Sequence, residues 1–262
     1  MMVTDKQYKE HSIFTELRQY TDFYKDLSQS IFSFCSMGTG AIANIDTYVY
    51  SSMQGTLESM QAVLEMGRIN DAYALLRKFY DSAIINVYSN LYLEDHFSIE
   101  NFIVEQIHNW IQSKEQLPDY RVMSSYIRNS DKLKPINDLL YADDRYKQLR
   151  NRCNDHTHYN FFKHLMLNDN EVYLKNRIQS LDILARDTKN IFILNLAYMF
   201  FLKYHYMAST DYRDYLECNM EPPQDSQYWV ATFVQEIFDK VISLERPDIV
   251  AVIKANSAMQ LT

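Results

Sequence analysis

Hydrophobic residues recur every three or four positions along most of the chain, which is the spacing of amphipathic α-helices. The first stretch predicts an N-terminal helix over residues 4–36, and residues 37–40, which include two glycines, should end it. Two more helices are predicted over residues 41–66 and from about residue 70 to residue 91. Gly67 would cap the first of these, so the two should form an antiparallel hairpin.

The second half of the chain continues the helical pattern in less regular form. Shorter helices are predicted over residues 98–117 and 135–150, and a long one over about 171–208. Within the long helix, residues 191–202 are apolar on nearly every face and should be buried. A C-terminal helix is predicted over residues 227–245. The pattern predicts no strand and no internal repeat.

The composition supports long helices. Only 4 Gly and 5 Pro occur beside 21 Tyr and 14 Phe, too few backbone breakers for the many tight turns of a β-sandwich or barrel. A hydrophobic fraction of 47% excludes disorder as the main state. We therefore predict one all-α domain over residues 1–262.

The cysteines and the N-terminus predict a soluble protein of a reducing cytoplasm. Cys35, Cys153 and Cys218 are far apart and form no CxxC pair, so a disulfide scaffold and a cysteine-based zinc module are not expected. The first ten residues are rich in charge and lack the apolar core of a secretory signal. No apolar stretch approaches the roughly 20 residues of a membrane span.

One segment, residues 150–160, carries a dense set of polar side chains. It contains two arginines, two histidines, one aspartate and three asparagines. The planar fork of an arginine binds phosphate, and a histidine can move a proton near neutral pH. Together they suit cleavage of RNA by its own 2′-hydroxyl, a route that needs no metal ion.

The spacing within this segment resembles the signature of the HEPN superfamily, in which an Arg and a polar residue are followed by a His four to six residues after the Arg. Two overlapping frames fit: Arg150-Asn151 with His156, and Arg152 with His158. We prefer the second frame slightly, because Asn154 and Asp155 follow its arginine, and the choice stays open. The resemblance covers about residues 40–207 and leaves the N- and C-terminal helices as additions.

The resemblance implies an all-α, HEPN-like helical bundle that acts as an endoribonuclease of a prokaryotic toxin, abortive-infection or antiviral defence system. It also implies a homodimer, with the active site built by two protomers. An antitoxin or another regulatory protein would be a further partner. The arginines would hold the scissile phosphate, a histidine would transfer the proton, and an Asn or Asp would orient the imidazole. The predicted catalytic residues are Arg152, His158, Arg150, His156, Asn154 and Asp155.

Further residues are predicted to contact the substrate. On the predicted third helix, Arg77 and Asp81 have the spacing of an Arg and an acidic residue in the first hairpin of HEPN-like families, and they share one helix face. The alternative for this pair is an ordinary intrahelical ion pair. The predicted substrate-binding residues are Asn151, Tyr159, Arg77 and Lys147.

Helix geometry constrains either frame. Two residues six positions apart lie about 240° apart on a continuous α-helix, so Arg and His would not converge on one phosphate. Either the helix breaks between them, with Asn154 or Asp155 as the N-cap of the next helix, or the site is completed across a twofold axis.

Charge favours RNA as the partner over duplex DNA. The whole chain carries a net charge of −8, which does not suit binding to a long duplex. Residues 121–164 contain nine basic and five acidic side chains, a local excess that could hold a single-stranded loop of tRNA or mRNA.

Other interpretations of the segment remain. The charged side chains could form surface ion pairs of little energetic value, or the fold could bind RNA or a partner protein without catalysis. His156 and His158 are two residues apart, which does not suit a helical metal site, and no known metal or cofactor motif occurs. Neither a metal nor a cofactor is therefore expected.

Overall fold

The computed structural model describes residues 1–34 and 42–262, and over these residues the chain is all-α, which confirms the predicted class. No β-strand occurs in the described residues, where an isolated antiparallel bridge joins Ala208 to Val230. The predicted helix end at residues 37–40 lies outside the described residues.

The α-helices are α1 Lys6–Lys9, α2 Ile13–Phe34, α3 Ile45–Glu65, α4 Ile69–His96, α5 Glu105–Ile111, α6 Tyr120–Arg128, α7 Lys134–Leu140, α8 Arg145–Thr157, α9 Phe162–Met166, α10 Arg177–Leu202, α11 Asp211–Glu217, α12 Thr232–Ile237, α13 Ser243–Glu245 and α14 Pro247–Asn256. Short 3₁₀ segments lie at Ile42–Asn44, Tyr204–Met207 and Ser226–Tyr228. A π-helical turn, Phe238–Ile242, joins α12 to α13.

The chain forms two compact units, and each is assembled from three separate stretches. The first unit consists of Met1–Ser28, Asp46–Asn86 and Asp143–Phe192, and the second of Gln29–Ile45, Val87–Ala142 and Ile193–Thr262. The arrangement of the chain as one domain stays a prediction.

The core of the first unit is aromatic. Tyr20 stacks on Phe192 with ring centroids 4.2 Å apart, and Tyr24 lies 5.7 Å from Tyr50 and 5.9 Å from Phe79. All five side chains are at most 1% exposed. Large rings from distant parts of the sequence therefore hold α2, α3, α4 and α10 together in this unit.

In the second unit, a buried asparagine joins several segments. The Asn137 amide on α7 donates to the backbone oxygen of Ile127 at 3.0 Å, and its oxygen accepts from the hydroxyl of Tyr198 at 2.6 Å. Arg246, at the start of α14, donates to the backbone oxygen of Leu139 at 3.0 Å. Residues 191–202 are buried apart from the partly exposed Phe201, as the apolar pattern predicts.

Gly67 caps α3, as predicted. Its φ is +83°, and its N–H donates to the Leu64 oxygen while the Arg68 N–H donates to the Val63 oxygen. These two bonds define a Schellman ending, which satisfies carbonyls left free at the helix end. A β-carbon at Gly67 would lie 2.5 Å from Cγ2 of Val3, so glycine is required here.

Two predicted helices in the N-terminal half have different bounds. The helix predicted over 4–36 is divided into α1 and α2, because the imidazole of His11 accepts the N–H of Ile13 and starts a new helix. The helix predicted over 98–117 is reduced to α5. A turn between Ser98 and Asn101 precedes it, and the Asn101 amide caps α4 at the oxygen of His96.

Two more helices differ in the C-terminal half. The helix predicted over 135–150 ends with α7, and α8 begins after Asp143, whose carboxylate accepts the N–H of Arg145 at 2.9 Å. The C-terminal helix begins at Thr232 rather than at residue 227. Extended residues precede it, with the Trp229 oxygen accepting from Ser209 and the Ala231 N–H donating to Met207.

Candidate functional site

The polar segment lies mainly on α8, which runs unbroken from Arg145 to Thr157. Of the two arrangements that the sequence allowed, the helix break at Asn154 or Asp155 is therefore wrong, and completion across a twofold axis stays a prediction. His158 follows the helix as its C-terminal cap residue, and Tyr159 comes next with φ +50°. On a continuous helix, Arg152 and His156 are four residues apart and share one face. The structure thus pairs the arginine of one predicted frame with the histidine of the other.

His156 is held in one orientation inside the first unit. Its side chain is buried, and its Nδ1 lies 2.8 Å from Oδ1 of Asn70, at the start of α4. The amide nitrogen of Asn70 donates to the backbone oxygen of His156 at 3.2 Å, which leaves Oδ1 as an acceptor. Nδ1 therefore carries the hydrogen, and Nε2 presents its lone pair.

Two rings enclose the imidazole of His156. Tyr73 stacks on it with centroids 3.8 Å apart, and His164 of α9 stacks on it at 3.9 Å. Burial, reinforced by the neighbouring His164, lowers the pKa of His156 to about 3. The imidazole is consequently neutral at physiological pH.

Arg152 is fixed by a buried carboxylate. Its Nε and Nη2 donate to the two oxygens of Asp187 on α10, at 2.8 and 2.6 Å. Burial opposes the charge of Arg152, but the hydrogen bonds and charge of Asp187 outweigh it and raise the pKa of the guanidinium. Nη1 has no hydrogen-bond partner among residues 1–34 and 42–262, so one edge of the fork is available to a ligand.

A cavity of about 450 Å³ in the first unit brings these groups together. This volume lies within the usual range of ligand pockets. Its polar and charged lining comprises Arg152, Asp155, His156, Lys163, His164, Lys175, Asn176, Gln179 and Ser180. Its apolar and aromatic lining comprises Tyr73, Phe161, Met166, Leu167, Leu174 and Ile183.

A second polar cluster joins α8 to α4. Asp81 accepts from Nε of Arg77 at 3.0 Å and from Nη1 of Arg150 at 2.8 Å, and Arg77 also donates to the side-chain oxygen of Asn154. Arg77 and Asp81 thus form the intrahelical ion pair that their spacing predicts. One carboxylate serves two arginines here, and none of these four residues lines the cavity.

The remaining predicted residues lie elsewhere. Asp155 lines the cavity, but its carboxylate accepts from the amide of Asn160 at 2.8 Å rather than orienting an imidazole. Lys147, Asn151, His158 and Tyr159 are exposed and do not line the cavity.

Sequence reasoning missed the partners that position the two central groups. Neither Asn70 nor Asp187 is among the predicted catalytic or substrate-binding residues. Asp187 does leave a signal in the sequence, because Ile183, Leu184 and Ile191 share its face of a long helix. A buried acid on such a face needs a cationic partner. Asn70 leaves no comparable signal.

Other features of the described residues limit the kinds of site. No group of three or more His, Cys, Asp or Glu side chains is arranged to hold a metal ion in the described part of the chain. Among the same residues, every helix is too short or too polar to cross a membrane. Comparisons with protein-family models, curated proteins and solved structures gave no match.

Proposed function

We propose that this chain is a HEPN-like, metal-independent endoribonuclease of a prokaryotic toxin or anti-phage defence system that acts in the cytoplasm. The observation that carries the proposal is the presence of Arg152 and His156 in the wall of one cavity. An arginine with a free edge and a neutral histidine with a free lone pair are the groups that cleavage by the 2′-hydroxyl requires.

The reaction would proceed by in-line attack. Nε2 of His156 accepts the proton of the 2′-hydroxyl while the 2′-oxygen forms a bond to phosphorus. The bond from phosphorus to the 5′-oxygen breaks, and this oxygen takes a proton from water. Nη1 of Arg152 donates to a phosphate oxygen and stabilises the charge that develops there. The products are a 2′,3′-cyclic phosphate and a 5′-hydroxyl.

The low pKa of His156 is compatible with this role once RNA is bound. A neutral imidazole can accept a proton, although a base with a pKa of about 3 is weak in the free protein. A phosphate held by Arg152 places negative charge near the ring, and this charge favours the protonated form. Substrate binding would therefore raise the pKa of His156 and strengthen the base when it is needed.

A second function, binding of RNA or a partner protein without catalysis, is favoured by one observation. Both arginines of the segment are paired with carboxylates, Arg150 with Asp81 and Arg152 with Asp187. These pairs leave less positive charge for a phosphate than free arginines would. The homodimer and the antitoxin implied by the HEPN resemblance remain proposals under either function.

The test is cleavage of total RNA in EDTA by the purified parent and two matched variants. His156→Asn keeps a donor in the position of Nδ1 for Asn70 but lacks Nε2, so it should fold and fail to cleave. His158→Asn makes the same change at an exposed position outside the cavity and should cleave like the parent. Arg152→Ala should reduce cleavage at least about a hundredfold.

The outcomes separate the alternatives. Cleavage by the parent that leaves cyclic phosphate ends and is lost in His156→Asn supports the ribonuclease. Loss of cleavage in His158→Asn, with full cleavage by His156→Asn, would instead support the Arg152/His158 frame that the sequence favours. RNA binding without cleavage by a folded parent would favour the non-catalytic function.

A further inference from the structure

The cavity has a polar wall that the proposed cleavage does not use. Asn176, just before α10, and Gln179 and Ser180, near the beginning of α10, line it. Within the described part of the chain, neither carboxamide takes part in a hydrogen bond, whereas the Ser180 hydroxyl donates to the Asn176 backbone oxygen at 3.3 Å. A carboxamide offers a donor and an acceptor side by side, which is the pattern that reads the edge of a nucleobase.

The rest of the cavity lining includes an aromatic ring and three cations, which suit the base and the phosphate of a nucleotide. Phe161 is 53% exposed and offers an aromatic face, and the ammonium of Lys163 lies 5.4 Å from the centroid of its ring. Arg152, Lys163 and Lys175 are cationic, against one lining carboxylate, that of Asp155. Aromatic faces beside cations are the usual platform for single-stranded nucleic acid.

We propose that the cavity holds one nucleotide unit and discriminates among bases through Asn176 and Gln179. The cations would contact its phosphate and Phe161 would stack on its base. The inference rests on the proposed function, since the nucleotide bound in the cavity is the one next to the phosphate that is cleaved. The same chemistry would accept either a nucleotide of a single-stranded RNA or a free mononucleotide.

The test measures binding of 2′-O-methyl homotetranucleotides of A, C, G and U, which lack the attacking hydroxyl and are not cleaved. The parent should bind its preferred tetranucleotide roughly tenfold more tightly than the one it binds most weakly. This ratio is at the lower end of the discrimination expected from two hydrogen bonds to a base edge. In the double variant Asn176→Ala/Gln179→Ala the ratio should fall below about threefold, with the affinity for the poorest base unchanged. The control, Gln148→Ala, removes a carboxamide from the exposed surface of α8 and should keep the parent's ratio.

Equal affinity for all four bases in the parent, or an affinity ratio unchanged in the double variant, would overturn the inference.

A second experiment measures binding of the four 5′-mononucleotides. Tetranucleotides should bind at least about tenfold more tightly if the ligand is a strand. Equal affinities would assign the cavity to a free nucleotide. If the protein discriminates among bases but does not cleave RNA, this inference holds and the proposed ribonuclease function is wrong. If it cleaves RNA without discriminating among bases, the ribonuclease function holds and this inference is wrong.

Discussion

Asn70 and His156 are 86 residues apart in the sequence and are joined by two buried hydrogen bonds, one through the imidazole Nδ1 and one through the His156 backbone oxygen. The pair fixes both the orientation and the tautomer of the ring. It also ties the first turn of α4 to the last turn of α8, so the position of the candidate base depends on the packing of two helices.

Replacement of Asn70 by alanine should therefore lower both stability and cleavage. The change leaves the buried Nδ1–H of His156 without a partner, and the His156 backbone oxygen keeps only its bond from the Tyr159 N–H. We expect a cost of about 1–3 kcal/mol in the free energy of unfolding. Urea unfolding measures this cost. The control, Asn151→Ala, removes an exposed asparagine of α8 and should stay within about 0.5 kcal/mol of the parent. Equal stability of the two variants would contradict the structural role of Asn70.

Stability should depend on pH through His156. An unfolded imidazole takes a proton near pH 6.5, whereas burial lowers the pKa in the folded protein to about 3. Between these values the unfolded state binds more protons, so the free energy of unfolding falls as the pH falls. From pH 7 to pH 5, His156 should account for a loss of about 2 kcal/mol.

The measurement compares urea unfolding at the two pH values. His156→Asn cannot titrate in this range and should lose about 2 kcal/mol less than the parent. Asn151→Ala keeps His156 and should show the parent's dependence. The same loss in all three proteins would show that His156 binds a proton equally well in the folded and unfolded states.

The sequence predicts the helices better than their ends. Periodicity identifies α2, α3, α4 and α10, because each buries a broad apolar face over many turns. The errors occur where one side chain caps a helix, as His11 does before α2 and Asp143 does before α8. Such caps depend on the rotamer of a single residue, which leaves no periodic trace.

The candidate site was predictable in its segment but not in its pairing. The density of Arg and His singles out residues 150–160, and Arg152, Asp155 and His156 of this segment line the cavity. The motif spacing, however, paired residues six apart, whereas the continuous helix brings together Arg152 and His156, four apart. The supporting Asn70 and Asp187 come from other helices, and only the tertiary packing brings them to the segment.

The Arg152–Asp187 pair yields a prediction about stability. Asp187 is fully buried, and Asp187→Asn leaves the guanidinium without its counter-charge. Because the Arg152 side chain keeps 27% exposure, we expect a loss of about 2–3 kcal/mol, below that of fully buried pairs. Asp182→Asn is the matched control on α10, since Asp182 is 64% exposed and its carboxylate lies 3.1 Å from Nε2 of His11.

The control should cost less than about 1 kcal/mol in urea unfolding, because substitutions of exposed side chains have small effects. A similar small effect of Asp187→Asn would mean that the buried pair adds little to stability, and that its role is to orient Arg152. An RNA cleavage assay of Asp187→Asn tests the orienting role, since a misplaced guanidinium lowers the cleavage rate even in a stable protein.

Two helices of the first unit end in the same way but with different residues. Tyr159 follows α8 at φ +50°, and its N–H and that of Asn160 donate to His156 and Asp155, which repeats the Schellman ending that Gly67 forms after α3. A left-handed conformation costs a residue with a β-carbon roughly 1–2 kcal/mol. Tyr159→Gly should therefore stabilise the protein by about 0.5–1 kcal/mol, after the greater entropy of glycine in the unfolded chain is subtracted.

Tyr159→Ala is the control, because it removes the exposed ring but keeps the β-carbon in the left-handed conformation. It should not stabilise the protein. In urea unfolding, equal gains for the two variants would assign the effect to loss of the ring instead of release of backbone strain. Because both variants lack the ring, a shared loss of RNA affinity would identify Tyr159 as a substrate contact, independently of the strain that it carries.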